Sequence, residues 1–212
     1  MTRPRLMMAD DHTILVEAFR KLLDPYYDVV ATVSDGRSLL ERAPQVNPEV
    51  IIVDIGMPLM NGLDAAVRLK QVMPHVKLVF LTMNDDPDLA VEAMRCGASA
   101  YLLKSSAAEE LIKAIQMALK SQRYVTPLIA RGMENSFIEN PGVIGQGKTL
   151  TPRQREVVQL LAEGKSMKQA ADILTIKERT VAFHKYRVMH RFNLGTSAEL
   201  VQFAIKSRIF VH

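Results

Sequence analysis

The sequence predicts a five-stranded, doubly wound parallel α/β sheet followed by a C-terminal all-α helix-turn-helix domain. Three observations predict it. Short apolar runs alternate with helical patterns over the first 125 residues, strand candidates cease after Leu150, and charge divides unevenly between the two halves.

The strand candidates are residues 6–9, 29–33, 50–53, 77–82 and 100–103. Between them apolar residues recur three and four apart, as in Ile14, Leu15, Ala18, Phe19, Leu22 and Leu23, and again in Leu111, Ile112, Ile115, Ala118 and Leu119. Strands alternating with helices of this length form right-handed βαβ units, and five of them give a sheet of the flavodoxin type with strand order 2-1-3-4-5. One more short helix is expected after Pro127. Residues 132–147, rich in Gly, Asn and Pro and without an apolar period, read as linker. The expected organisation is therefore a domain over 1–125, a joining segment over 126–147 and a second domain over 148–212.

In the second domain Thr151-Pro152 supplies an N-cap followed by proline at the first helical position, opening a helix over 152–163 that stops at Gly164. Ser166 caps a second helix reaching about residue 174. A third is expected over 178–192 and a fourth over 197–206.

Of the 212 residues, 48% are hydrophobic and 24% charged, an ordinary globular balance. The apolar run near the N-terminus is four residues long and ends in acid, too short for a signal peptide or a membrane span. The single cysteine, Cys96, has no partner for an internal disulfide, which fits a reducing compartment, and a cytoplasmic location is expected. From Gln146 onward the chain holds 12 Lys and Arg against 5 Asp and Glu, a net of +7. Residues 1–145 hold 15 basic against 18 acidic, a net of −3. A basic half suits a polyanion.

Ligands of a doubly wound sheet bind beyond the carboxyl ends of its strands. Asp10-Asp11 follow the first strand, Asp54 ends the third, Thr82 ends the fourth and Lys104 follows the fifth. Three carboxylates in one crevice repel each other and raise each other's pKa values. A divalent cation removes the conflict, and a half-solvated, oxygen-only set suits Mg²⁺. An ammonium and a hydroxyl beside it complete a site for a phosphoryl group.

Met8-Ala9-Asp10-Asp11-His12, the run from Val53 to Gly62, Leu81-Thr82 and the run from Gly97 to Lys104 together resemble the receiver domain of response regulators. The resemblance covers residues 5 to about 125. It implies that Asp54 accepts phosphate, and that Asp11, Asp54 and the backbone carbonyl of Gly56 ligate Mg²⁺ (or Mn²⁺), with Asp10 helping. It also implies that Lys104 pairs with the phosphate and that Thr82 and Tyr101 are switch residues. An aspartyl phosphate would draw in the Thr82 hydroxyl and let Tyr101 swing into the space vacated. Gly62 is read as permitting a turn.

In the basic half the predicted second and third helices form a helix-turn-helix. Ala170, Ala171, Ile173, Leu174, Ile176, Val181 and Val188 are expected to fix their angle. Thr180, Phe183, His184, Arg187 and Arg191 lie three or four apart and are expected on the outward face, where a hydroxyl and cations suit phosphates flanking a major groove. Leu150 to Val158, Glu163-Gly164-Lys165-Ser166 and Thr180 to His184 resemble the LuxR-type DNA-binding domain, and the whole chain is similar to the NarL/FixJ family of response regulators. That implies double-stranded DNA and a sensor histidine kinase as partners, with dimerisation on DNA through the last helix. Two positions depart from the family: Met167 stands where Asn is usual, and Lys177 where Ser would cap the third helix. The missing cap costs about 1 kcal/mol, which a Lys177–phosphate contact would offset. The positions that face bases are Ala182, Phe183 and Tyr186, suited to thymine methyl contact more than to hydrogen-bonded readout.

Three other readings compete with this one. An aspartyl-nucleophile hydrolase usually carries a second Asp two residues after the first, where this chain has Gly56. A receiver that no longer takes phosphate is disfavoured by the complete acceptor set, and an output through protein binding alone by the basic half.

Overall fold

The computed structural model describes residues 2–139 and 150–210, with side chains of 134–139 apart. The chain divides into two units, Met1–Gly142 and Val143–His212, each with its own core.

In the first unit β1 (Arg5–Ala9) lies between β2 (Asp28–Val33) and β3 (Val50–Asp54), followed by β4 (Lys77–Thr82), β5 (Ala100–Leu103) and β6 (Tyr124–Val125). All neighbours pair in parallel, in the order β2-β1-β3-β4-β5-β6. Every residue of β3 and β5 is buried, as expected where helices cover both faces of a parallel sheet. Those helices are α1 (Thr13–Leu23), α2 (Gly36–Val46), α3 (Gly62–Val72), α4 (Pro87–Arg95) and α5 (Ala107–Leu119). Side chains of Asp35, Asn61 and Asp86 accept the first free amides of α2, α3 and α4, satisfying donors that a helix start leaves open. On one face of the sheet the core joins Leu6, Met8, Phe19, Leu23, Val79, Leu102 and Ile115.

Five strands were expected and six are present among the described residues. The sixth is two residues long, too short for any alternation to register in the sequence. It is held by its surroundings: the Tyr124 amide donates to Ser99 O at 3.1 Å and the Thr126 amide to Tyr101 O at 3.0 Å. The Tyr124 and Thr126 hydroxyls both donate to Glu110 Oε2, at 3.0 and 2.8 Å.

A second difference is one of extent: the short helix expected after Pro127 is α6 (Pro127–Glu139), and it runs past Gly132 into the expected linker. Thr126 O accepts from the amides of Ile129 and Ala130, Ile129 is buried, and α6 packs along α4. An interior glycine such as Gly132 costs a helix about 1 kcal/mol relative to alanine, and packing on α4 offsets it. Residues 140–147 of the expected linker lie outside the described residues.

Gly62 is not a turn residue either; it opens α3. A Cβ there would overlap the carbonyl oxygen of Asp54 and stand 2.9 Å from Val53 Cγ1. Glycine is thus required by close approach beneath the end of β3.

The second unit contains α7 (Pro152–Ala162), α8 (Met167–Leu174), α9 (Glu178–Phe192) and α10 (Ser197–Lys206). Thr151 with Gln154, and Ser166 with Gln169, close reciprocal capping boxes. Lys177 precedes α9 with no side-chain cap, as its residue type dictates. Val158, Val188, Met189, Leu200, Ala204 and Ile209 form the core shared by α7, α9 and α10. Ala170, Ala171, Leu174 and Val181 are buried between α8 and α9, with Ile173 and Ile176 half-buried. Among the described residues no helix is long and apolar enough to cross a membrane.

Candidate functional site

The carboxyl ends of β1, β3, β4 and β5 converge, and the polar residues predicted there meet. Asp10, Asp54, Thr82 and Lys104 are all buried, an unusual concentration of polar groups in a β-sheet core. Lys104 Nζ stands 2.8 Å from Asp54 Oδ2 and 2.8 Å from Asp10 Oδ2. Both Oδ2 atoms therefore belong to the ammonium. The Oδ1 atoms are otherwise engaged: Asp54 Oδ1 accepts the Gly56 amide at 3.3 Å, and Asp10 Oδ1 accepts the His12 amide at 2.9 Å. Asp11 is exposed at the mouth.

Burial pushes the Asp54 carboxyl above the usual carboxylate range, and neighbouring Asp10 adds to it. Lys104 and the Gly56 amide work against that shift without overcoming it. Burial also pushes the Lys104 ammonium down, but the attraction of Asp54 and Asp10 outweighs it and the net shift is upward. The expectation of mutually raised carboxylates thus holds for Asp54, with burial as the larger cause.

The predicted switch pair is joined through one residue. The Asn84 amide donates to Thr82 Oγ1 at 3.1 Å, and the Tyr101 hydroxyl donates to Asn84 O at 3.0 Å. Tyr101 is already fully buried, so the inward position expected to follow a Thr82 movement is the one observed. The loop after Asp54 carries a left-handed residue, Leu59, at φ +64°, a conformation a branched side chain adopts at a cost.

Sequence reasoning gave His12 no role. It directly follows the Asp pair, precedes α1, and makes no side-chain capping bond to that helix. Instead its Nδ1 faces Asp10 Oδ1 at 3.0 Å, Asp11 Oδ1 at 3.1 Å and Asp54 Oδ2 at 3.9 Å. Ligand atoms of Asp10, Asp11, His12 and Asp54 all lie within 4.8 Å of one another. Adjacency to two aspartates was the signal available in the sequence.

In the second unit, α9 presents Phe183, Tyr186, Arg187 and Arg191 to solvent, with Lys177 exposed just before it and Thr180 and Ala182 half-buried. Arg187 lies over the Phe183 ring at 5.7 Å and Lys185 over the Tyr186 ring at 5.5 Å, so the aromatic and cationic groups form one surface. His184 departs from the expected outward face. It is half-buried, its Nδ1 is enclosed without a hydrogen-bond partner, and its ring packs edge-on to Phe183. Burial holds its imidazole below the usual histidine pKa, and the charges of Arg153 and Arg187 add to the shift. Arg153 in turn donates to the buried Glu156 at 2.8 Å and to Leu174 O at 3.0 Å, tying α7 to the end of α8.

Two family models match this chain: the response regulator receiver domain over residues 6–116, and the luxR family of bacterial regulatory proteins over residues 148–204. The oxygen regulatory protein NreC of Staphylococcus carnosus is 31% identical over 97% of this chain and 98% of its own. Among solved structures, a LuxR-family two-component response regulator from Aurantimonas sp. SI85-9A1 is 29% identical, with a TM-score of 0.62 over 65% of this chain and 99% of that one. The RcsB response regulator of Salmonella typhimurium shares the fold at a TM-score of 0.67 over the full length of both chains, at 24% identity. With the strand-end carboxylates, the lysine and the helix-turn-helix in place, the chain belongs to the two-component response regulators that join a receiver domain to a LuxR-type DNA-binding domain.

Proposed function

We propose that this chain is a transcription regulator switched by phosphorylation of Asp54. One observation carries the reading: Lys104 Nζ sits 2.8 Å from Asp54 Oδ2 at the end of β3, beside a second buried carboxylate. A sensor histidine kinase is the donor. An Asp54 oxygen attacks phosphorus as the bond to the donor's imidazole breaks, and Lys104 follows the new phosphoryl oxygens as their counter-charge. Asp11, Asp54 and the Gly56 carbonyl would hold Mg²⁺ or Mn²⁺, with Asp10 assisting. The donor set is mostly oxygen and partly solvated at Asp11, which fits such an ion. The bound ion supplies neutralisation of the gathering negative charge.

The output is binding of double-stranded DNA in the cytoplasm, as a homodimer through α10. The family of the second domain, the net charge of +7 from Gln146 onward, and the exposed Lys177 before α9 with Arg187 and Arg191 on it support it. Phe183 and Tyr186 would meet base edges beside Ala182, while Thr180 and the cations meet phosphates.

Incubation with acetyl phosphate and Mg²⁺ tests the chemistry. Intact mass should rise by one phosphoryl group in the wild type and stay constant in Asp54→Asn. Equal uptake by both would remove Asp54 from its role.

A further inference from the structure

We infer that His12 is a nitrogen ligand of the receiver's metal ion, and that it shifts the site's preference toward divalent transition ions. The inference rests on the acidic cluster being the metal site proposed above.

The oxygens of the cluster divide into two sets. Lys104 takes Oδ2 of both Asp10 and Asp54. His12 Nδ1 approaches the other oxygens, 3.0 Å from Asp10 Oδ1 and 3.1 Å from Asp11 Oδ1, with Lys104 Nζ 3.4 Å away. In a six-coordinate ion with bonds of about 2.1 Å, adjacent ligand atoms lie about 3.0 Å apart. The two spacings match neighbouring positions on one coordination sphere. The ring is not held by the helix that follows it. It makes no capping bond to α1, and its side chain is half solvent-accessible, so it can adjust without disturbing the core.

Nδ1 lies within reach of acceptors on Asp10 and Asp11 and of a donor on Lys104, so either nitrogen of the neutral ring can carry the hydrogen. To ligate, the neutral ring carries its hydrogen on Nε2 and offers the Nδ1 lone pair, a tautomer reached by exchange through solvent with no net proton gained or lost. Lys104 Nζ, 3.4 Å from Nδ1, is retained by its two carboxylate oxygens, Oδ2 of Asp10 and Oδ2 of Asp54. A hard ion such as Mg²⁺ gains little from imidazole over water. Co²⁺, Ni²⁺ and Zn²⁺ bind imidazole well and stand higher in the affinity order for mixed nitrogen and oxygen sites. His12 therefore acts selectively, on one class of ion and not the other.

The test is isothermal titration calorimetry of untagged full-length protein with Mg²⁺ and, separately, with Co²⁺, whose visible absorption reports nitrogen ligation directly. Wild type, His12→Ala, His12→Asn and Asp54→Ala are compared, with circular dichroism checking the fold of each. Co²⁺ affinity should fall about tenfold or more in His12→Ala, while Mg²⁺ affinity changes less than about threefold, and the Co²⁺ spectrum should change with it. His12→Asn keeps a polar side chain next to Asp10 and should lose Co²⁺ affinity likewise, which separates ligation from loss of fold. The chain contains five histidines, so Asp54→Ala must weaken the same Co²⁺ site. Unchanged Co²⁺ binding in both His12 variants overturns the proposal, as does Mg²⁺ binding that tightens with Co²⁺ unaffected, the mark of a ring that merely fills the ion's place. If Asp54→Ala binds both ions as the wild type does, the acidic cluster is not the metal site, and the reading on which the proposal rests fails with it.

Discussion

Gly132 of α6 rests directly on Pro87, the first residue of α4. A Cβ at position 132 would overlap Pro87 Cγ and stand 3.1 Å from Pro87 Cβ. Pro87 follows Asp86, whose amide donates to the Asn84 side chain, and Asn84 is bonded to both Thr82 and Tyr101. The last helix of the receiver unit is thereby packed against the segment that leaves β4. Gly132→Leu should lower urea stability of this unit by about 1–3 kcal/mol through overpacking and speed hydrogen exchange across α6. Leucine is a better helix former than glycine by nearly 1 kcal/mol, so unchanged or slower exchange would show that α6 does not depend on this contact.

Asp54 is held at a cost. With its folded pKa raised, the folded protein binds more protons than the unfolded chain in the carboxylate range, so stability falls as pH rises through that range. Asp54→Asn should accordingly melt higher than the wild type at neutral pH, and the gap should close under acid conditions where Asp54 is protonated in both states. Mg²⁺ should raise the wild-type melting temperature, by the equivalent of about 2.7 kcal/mol at one hundred times Kd, and leave Asp54→Asn nearly unmoved. Calorimetric scans across pH, with and without Mg²⁺, measure both effects.

Thr82→Ala should still accept phosphate and transmit it poorly, because it removes the hydroxyl that now accepts the Asn84 amide and would turn to the phosphoryl group. The readout is affinity for operator DNA with and without phosphodonor at one salt concentration. Wild type should tighten by roughly 5- to 150-fold, the usual size of an allosteric coupling, and the variant should respond much less.

A fragment of residues 148–212 should fold as a helical domain and bind duplex DNA, with affinity falling steeply as salt rises. A fragment of residues 1–139 should not bind DNA. Anisotropy titrations over a salt series decide it, and DNA binding by the acidic fragment alone would reverse the assignment.

His184 predicts acid sensitivity in that domain. Its folded pKa is depressed, first by burial and then by Arg153 and Arg187. The unfolded chain therefore binds the proton first, so this contribution to stability is complete above the ordinary histidine range and is lost as pH falls through it. The melting temperature of fragment 148–212 should drop between about pH 7.5 and pH 5.5, and His184→Gln should flatten that dependence. An equal drop in the variant would assign it to other groups.

The sequence by itself determined the five main strands, the helix starts of the second domain and the meeting of Asp10, Asp54, Thr82 and Lys104. Each follows from a local rule: apolar period, a capping residue, or position at the end of a parallel strand. Tertiary structure alone decided the rest. Strand β6, and the run of helix α6 beyond Gly132, exist because Glu110, Tyr101 and α4 are there to receive them, and neither carries enough apolar pattern to announce itself. The inward placement of Tyr101, the enclosure of His184 and the turn of His12 toward the carboxylates are orientations of side chains. His12 turns chiefly to its neighbours Asp10 and Asp11. The Tyr101 placement depends on Asn84, distant in sequence, and the charge felt by His184 comes in part from Arg153, because desolvation and charge act through space and are not recorded in spacing along the chain.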